Sequence, residues 1–169
     1  TFAYVAQGGR LLATILPQPR SQAVARIRDA WPRVKYRERL LPSFEQEIRA
    51  YFQGNKIHFR VAIDLTRLPL FRRAVLEACR RIPYGQTASY GDLAQAAGNA
   101  RAVRAVGGAM AHNPLPLVIP CHRVIRSDDS LGGFQSGIRW KRMLLQLEHH
   151  AGLRRREHQV PASVPGAKD

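Results

Sequence analysis

Apolar and polar positions alternate loosely from Phe2 to Leu16, interrupted by "QGGR". Period-two alternation around a Gly-containing turn predicts a β-hairpin. Ser21 to Trp31 reads as a short helix, stopped by Pro32. In "PSFEQEIRAYF", Ser43 follows Pro42 and is the expected N-cap. Glu45 and Glu47 then fall in the first turn, where negative charge is favoured. Gly54-Asn55 ends that helix, and "KIHFRVAIDL" alternates again, which predicts a strand. Residues 1–67 thus read as a small α/β unit.

After "RLP" the pattern changes. Leu70 to Arg81 is helical, with Phe71, Val75, Ala78 and Ile82 near one face, and "IPYGQ" breaks it. In the stretch Thr87 to Asn113, Ser89 and Asp92 form a capping-box-like start. Tyr90, Leu93, Ala94 and Ala97 follow at helical spacing, and Gly98-Asn99 marks a turn. The next helix is expected to put Val103, Val106 and Met110 on one face and Arg101, Arg104 and Gly108 on the other. Two short helices with a Gly turn and an arginine-bearing outer face suggest a helix-turn-helix. Gly107-Gly108 inside the second helix costs about 1 kcal/mol per residue against alanine. Such a pair suits a closely approaching DNA strand or, equally, a tight helix–helix crossing. "SGIRWKRMLLQLEHH" is the last clear helix, with Trp140, Met143, Leu144 and Leu147 on one face. Beyond Gly152 the chain turns polar and proline-containing and reads as a mobile tail.

Composition narrows the chemistry. The chain has 169 residues, enough for one compact domain or two small ones sharing a core. No apolar run is long enough to span a bilayer, and no signal-peptide pattern is visible from Thr1 onward. The formal net charge is +15, which suits a polyanion partner, nucleic acid before anionic membrane. The excess is spread: residues 1–67 carry 12 basic and 5 acidic side chains, and residues 68–150 carry 11 and 5. Charge therefore names a class of partner without locating the contact, and a merely solvated arginine-rich surface would look similar. Two cysteines without a CxxC fit neither a disulfide framework nor a zinc site. The thiols are expected to be reduced, in a cytosol-like compartment.

"PLPLVIPCHRVI" holds the distinctive cysteine. Pro116 and Pro120 make the apolar run a stiff, extended segment that presents Cys121 in a fixed pose. A nucleophilic thiol needs a base or a positive field to become a thiolate. His122, Arg123 and Arg126 are the local candidates. Adjacent residues on an extended chain point to opposite faces, so a Cys121–His122 contact is expected to need a bridging water. A phosphatase loop requires Cys-x5-Arg and fails, because position 127 is Ser. A papain-like pair would have to recruit His58 or His112, which carry no local signature. Cys79 reads as a small core residue.

"IPCHRV", preceded by "RAVGGAMAHNP" and "IPYGQTASYGDLA", resembles the methylated-DNA–protein-cysteine methyltransferase family, the O6-alkylguanine-DNA alkyltransferases. The resemblance covers about Phe71 to Glu148, while the first 67 residues match in layout only. It implies a two-part α+β or α/β chain. A small N-terminal ribonuclease H-like α/β domain (1–67) precedes a mainly helical C-terminal domain with a helix-turn-helix (68–150), and a flexible tail (151–169) follows. It implies direct DNA repair: an alkyl group passes from O6 of guanine, and less readily from O4 of thymine, to the protein's own cysteine, once and without a cofactor or metal. By position, Cys121 is then the acceptor, His122 its base through a water, Glu148 the group that holds the histidine, and Asn113 the residue that fixes the turn. Arg104 enters the base stack and Tyr90 crowds the 3′ phosphate. Asn99, Gly107, Gly108 and Ser127 complete the DNA-binding set. Met110, Pro116, Val124, Phe134 and Gln135 line the alkylguanine pocket. The implied partner is double-stranded DNA met by a monomer in the minor groove, in the cytoplasm, nucleoid or nucleus.

Two departures stand out. The first domain has no cysteine from which a zinc site could be built, and "GGFQSG" (132–137) differs from the family's commoner form. A related non-enzymatic class carries tryptophan in place of Cys121, so the cysteine argues for activity. Two rival readings are a lesion-binding module that recruits other factors and an unrelated cysteine hydrolase.

Overall fold

The structure is a computed structural model and describes residues 1–157. Strands β1 (Ala3–Gln7) and β2 (Arg10–Ile15) form the expected antiparallel hairpin, with a register shift at Val5/Ala6. Gly8 and Gly9 close it with φ of 56° and 75°. Both central residues of this two-residue turn are left-handed, the geometry whose twist matches the strands. Helices α1 (Arg20–Ala30) and α2 (Pro42–Phe52) follow. Ser43 is not the N-cap of α2: Leu41 takes that position without a side-chain bond, and Pro42 opens the helix. Proline's fixed φ and missing N–H suit the first helical turn, so the boundary falls two residues earlier.

The strand expected over residues 56–65 is extended but mostly unpaired. It touches the sheet only where Ile63 bridges Leu11, through Leu11 N–H to Ala62 O and Asp64 N–H to Leu11 O, both 2.9 Å. A side chain replaces the missing neighbour. Arg80 donates from Nη2 to the carbonyls of Val61 (3.0 Å) and Phe59 (3.4 Å). Buried carbonyls need some partner, and a guanidinium serves here instead of a ladder.

Helix α3 (Leu70–Arg80) buries Val75, Leu76, Ala78 and Cys79. A two-residue strand β3 (Ala88–Ser89) leads into α4 (Tyr90–Ala96), whose Ser89/Asp92 capping box forms as expected. Helix α5 (Val103–Ala111) buries Val106, Ala109 and Met110. Val103, expected on that face, is 41% exposed, because the helix begins there and its first turn overhangs the core. A 3₁₀ turn (Cys121–Arg123) runs into β4 (Val124–Ile125), which pairs in parallel with β3. This short pairing ties the start of α4 to the cysteine turn.

Helix α6 (Ile138–Glu157) closes the fold. It continues seven residues past the boundary expected at 150, through "AGLRRRE", which is rich in helix formers and free of proline. The rest of the expected tail, 158–169, lies outside the described residues. The buried face of α6 is not the apolar stripe alone. Lys141, Leu144 and Glu148 are almost wholly buried, while Met143 is 42% exposed. No helix among the described residues is long and apolar enough to cross a membrane.

One continuous hydrophobic cluster joins the two parts of the chain. Leu11, Phe44, Ile48, Tyr51 and Phe59 from the first pack with Val75, Leu76, Leu115, Ile119 and Leu144 from the second. Thr14 adds polar ties: its N–H donates to Pro114 O (2.9 Å) and its hydroxyl to Pro116 O (2.8 Å). Arg80→Met should loosen the extended segment locally. Amide hydrogen exchange at Leu11 and Asp64 is expected to quicken about tenfold, as for a loss of roughly 1.4 kcal/mol, with α4 and α5 unchanged.

Candidate active site

The segment that presents Cys121 is folded rather than extended. Leu117 has φ of 79°, and Ile119 N–H returns to Leu115 O at 2.8 Å. Asn113 accounts for this shape. Its Oδ1 accepts from Leu115 N–H (3.0 Å), and its Nδ2 donates to Ile119 O (2.9 Å). The same Nδ2 lies 3.0 Å from Cys121 Sγ. One amide therefore closes the loop and positions the thiol. The prolines contribute stiffness, but the side-chain bonds of Asn113 overrule an extended run.

Cys121 is 4% exposed. Burial pushes its pKa up to about 11, even though the Asn113 bond favours the thiolate. The resting group is a thiol. Cys79 is buried in the core, where desolvation holds its thiol well above the ordinary range, as its core reading implies.

His122 is fully buried, and its Nε2 lies 2.8 Å from Glu148 Oε1. Glu148, also buried, collects donors from several segments. Oε1 accepts from Tyr51 Oη (2.7 Å) and Arg123 Nη2 (2.9 Å), and Oε2 from Arg123 Nε (2.9 Å) and Gly85 N–H (3.0 Å). Burial alone would raise the Glu148 pKa, but the bonds from His122 and Arg123 outweigh it and bring it to about 2. An ionised carboxylate only accepts, so Nε2 must carry the proton and Nδ1 must hold a lone pair. Among the described residues no protein group meets Nδ1. Burial lowers the His122 pKa against the pull of Glu148, so the ring is neutral. A buried neutral imidazole with one free acceptor, backed by a carboxylate, is equipped as a general base.

Several parts of this site were not apparent from sequence. Tyr51 lies on the α2 face that also buries Phe44 and Ile48, where a tyrosine looks like core. Arg123 is committed to Glu148 and to Ile82 O (2.6 Å) and supplies no free field to the thiol. Arg126 is exposed. Gly85 reaches Glu148 from a turn with φ of 75°, a left-handed position that accounts for the glycine in "IPYGQ". Lys141, buried and lowered to about 8 by desolvation, donates to the carbonyls of Val124, Leu131 and Gly133 and so pins the chain beyond the cysteine turn.

The expected binding residues divide. Arg104 and Gly108 are exposed on α5, and a Cβ built at Gly107 or Gly108 would meet nothing within 4 Å. A tight crossing inside the protein therefore does not account for the glycine pair. Tyr90 is half-buried, and its hydroxyl lies 3.0 Å from where a Cβ at Gly132 would stand. Asn99 is exposed in the turn between α4 and α5, accepting from Arg101 N–H (3.1 Å), and Ser127 is exposed beyond β4. Of the expected pocket residues, Pro116 and Gln135 share a cleft of about 300 Å³ with Asn113 and Trp31. Met110 and Val124 are buried in the core and Phe134 is half-buried, none of them on that cleft's wall.

The comparisons with known proteins point one way. The family model of the 6-O-methylguanine DNA methyltransferase DNA-binding domain matches residues 70–150. The methylated-DNA–protein-cysteine methyltransferase of Mycobacterium bovis is 46% identical over 102 residues, 60% of this chain, and the chain spans 61% of that relative's length. Its counterpart in Methanopyrus kandleri is 42% identical over 113 residues, 65% of this chain and 82% of the relative. The crystal structure of Mycobacterium tuberculosis OGT in complex with DNA superposes with a TM-score of 0.71 at 32% identity, covering 89% of this chain and 87% of that one. Identity of this degree over most of a relative's length, joined to a shared fold, means that the chain belongs to the methylated-DNA–protein-cysteine methyltransferase family.

Proposed function

We propose that this chain is a single-use DNA repair protein that moves an alkyl group from O6 of guanine, and less readily from O4 of thymine, onto Cys121. The observation that carries the reading is a buried thiol, held 3.0 Å from Asn113 Nδ2, in a turn whose next residue is a neutral histidine backed by an ionised glutamate. Because the resting group is protonated, the nucleophile must be made when substrate is in place. His122 Nδ1 takes the thiol proton through a water. Sγ then attacks the alkyl carbon opposite O6: a C–S bond forms, the C–O6 bond breaks, and its electron pair stays with the base. A proton returned to N1 of the ring restores guanine. The thioether is stable, so each chain reacts once.

A base in a duplex hides its O6-alkyl carbon, so it must be extruded, at a cost of roughly a few kcal/mol that damage reduces. In this reading α4 and α5 form a helix-turn-helix that enters the minor groove of double-stranded DNA. Arg104 fills the vacated stack, and Tyr90 crowds the 3′ phosphate. Asn99 and Ser127 lie on the backbone, and the narrow groove is met at Gly107 and Gly108. The extruded base lies against Pro116 and Gln135 on the cleft wall and against the half-buried Phe134, while Met110 and Val124 stay in the core. Residues 1–67 form the ribonuclease H-like unit, and the chain from residue 68 through α6 forms the reactive one. The protein works as a monomer in the nucleoid or nucleus, wherever its DNA lies. The M. tuberculosis relative crystallised with DNA supports the partner, and the open arginine-bearing face of α5 supports the mode.

The direct test weighs the intact protein after incubation with an O6-methylguanine duplex. The expected result is a gain of one methyl group that disappears in Cys121→Ser. Tight binding with no mass change would identify a lesion-binding module instead, and many products per chain would identify a hydrolase.

Arg104→Ala should slow transfer from duplex DNA by about tenfold, a barrier increase of roughly 1.4 kcal/mol. Transfer from free O6-alkylguanine should fall no more than about twofold. Equal losses on both substrates would exclude a role in the stack.

The pH profile carries a sign. A base whose pKa is depressed stays neutral as pH falls through the ordinary imidazole value of 6.5. The single-turnover rate should therefore hold through that value and decline only below it. A decline that starts above it would contradict a buried neutral His122.

A further inference from the structure

Tyr51 belongs to the first part of the chain, on α2, and is completely buried. Its ring behaves as core, edge-on to Phe52 at 5.5 Å and to Tyr84 at 6.0 Å. Its hydroxyl does not. It donates to Glu148 Oε1 at 2.7 Å and lies 3.5 Å from His122 Nε2. The first contact is a short bond to an ionised acceptor, and the second is too long to compete with it. Tyr84 gives a contrast within the same cluster, since its hydroxyl is buried without a partner among the described residues. Packing alone therefore leaves a tyrosine hydroxyl here unbonded, and the Tyr51–Glu148 bond is a specific feature.

We infer that Tyr51 is a positioning residue of the proton relay: by binding Glu148 Oε1, it sets the orientation and basicity of His122, so that activation of Cys121 runs through both parts of the chain. The inference rests on the alkyl-transfer reading above. Oε1 serves three donors, and each draws charge from the oxygen that faces His122. Without the hydroxyl, more of the carboxylate charge falls on the imidazole. The imidazolium is then better stabilised and the His122 pKa rises. The neutral ring is reached only at higher pH. The other titratable or charged groups around this pair are Arg123 in the cysteine turn, Lys141 on α6, Cys121, Cys79 on α3 and Tyr84. Removing one hydroxyl leaves all of them in place.

The test uses the full chain and Tyr51→Phe. The His122 titration is followed by ¹⁵N NMR of the ring, beside the pH profile of single-turnover transfer from an O6-methylguanine duplex. In Tyr51→Phe both should move up by about half a pH unit or more. Phe59→Leu, in the same aromatic cluster, should lower the melting temperature and move neither. Superimposable titrations for Tyr51→Phe and the unmodified protein would overturn the inference. If Tyr51→Phe does not fold, the unmodified protein decides the matter. A slowly exchanging Tyr51 hydroxyl proton with a cross-peak to the His122 ring supports the inference, and a freely exchanging one overturns it. An unmodified protein that transfers no methyl group would remove the alkyl-transfer reading instead, and the NMR titration would still judge Tyr51.

Discussion

A carboxylate buried away from water is one of the costliest groups a fold can hold, and Glu148 is such a group. The protein offsets that cost with donors from a helix of the first part, the turn after α3 and the cysteine turn. Each of those segments must be in place for the charge to be tolerated. The carboxylate is therefore both the anchor of the histidine and a point where three otherwise separate stretches converge. Breaking a buried charged network by removing one partner costs far more than a surface pair would suggest, because the remaining charge is stranded.

The reactive turn follows a second constraint. Asn113 has one side-chain carbonyl and one amide, and it spends both on the Leu115–Ile119 loop while the amide also faces Sγ. A single residue thus converts a proline-containing apolar run into a compact loop of defined depth. On the far side, Lys141 holds three carbonyls of the return path. The thiol is fixed from before and after by side chains, with only a 3₁₀ turn and a two-residue strand beside it. In the alkyl-transfer reading, this suits a group that is buried at rest and reached by one carbon atom of substrate.

Much of this was legible in the sequence, and what was not follows a pattern. Local chemistry read well. The Gly8-Gly9 hairpin and the Ser89/Asp92 box are short-range patterns, and the motif positions Asn113, Cys121, His122 and Glu148 come together in space. Features that depend on which neighbour arrives from afar did not. Alternation over 56–65 could not say that Arg80 would take the place of a neighbouring strand. Helical spacing put Met143 inside and gave no sign that Lys141 would be buried, because it ranks residues by polarity and cannot see carbonyls waiting for a cation. Tyr51 looked like core and is core, with a polar end that only the packed structure gives an address.

Thr14, at the end of the first hairpin, donates to the carbonyls of both Pro114 and Pro116. The family match begins at residue 70, and that boundary invites treating the remainder as a portable cassette. Excision there would take along the thiol, the histidine and the glutamate. It would leave behind Thr14, which holds the loop, and Tyr51, which caps the carboxylate, and would open the shared core to water. The stretch that is easiest to recognise is thus not the stretch that can be transplanted. For grafting or fusion, the smallest unit of this protein begins at the hairpin.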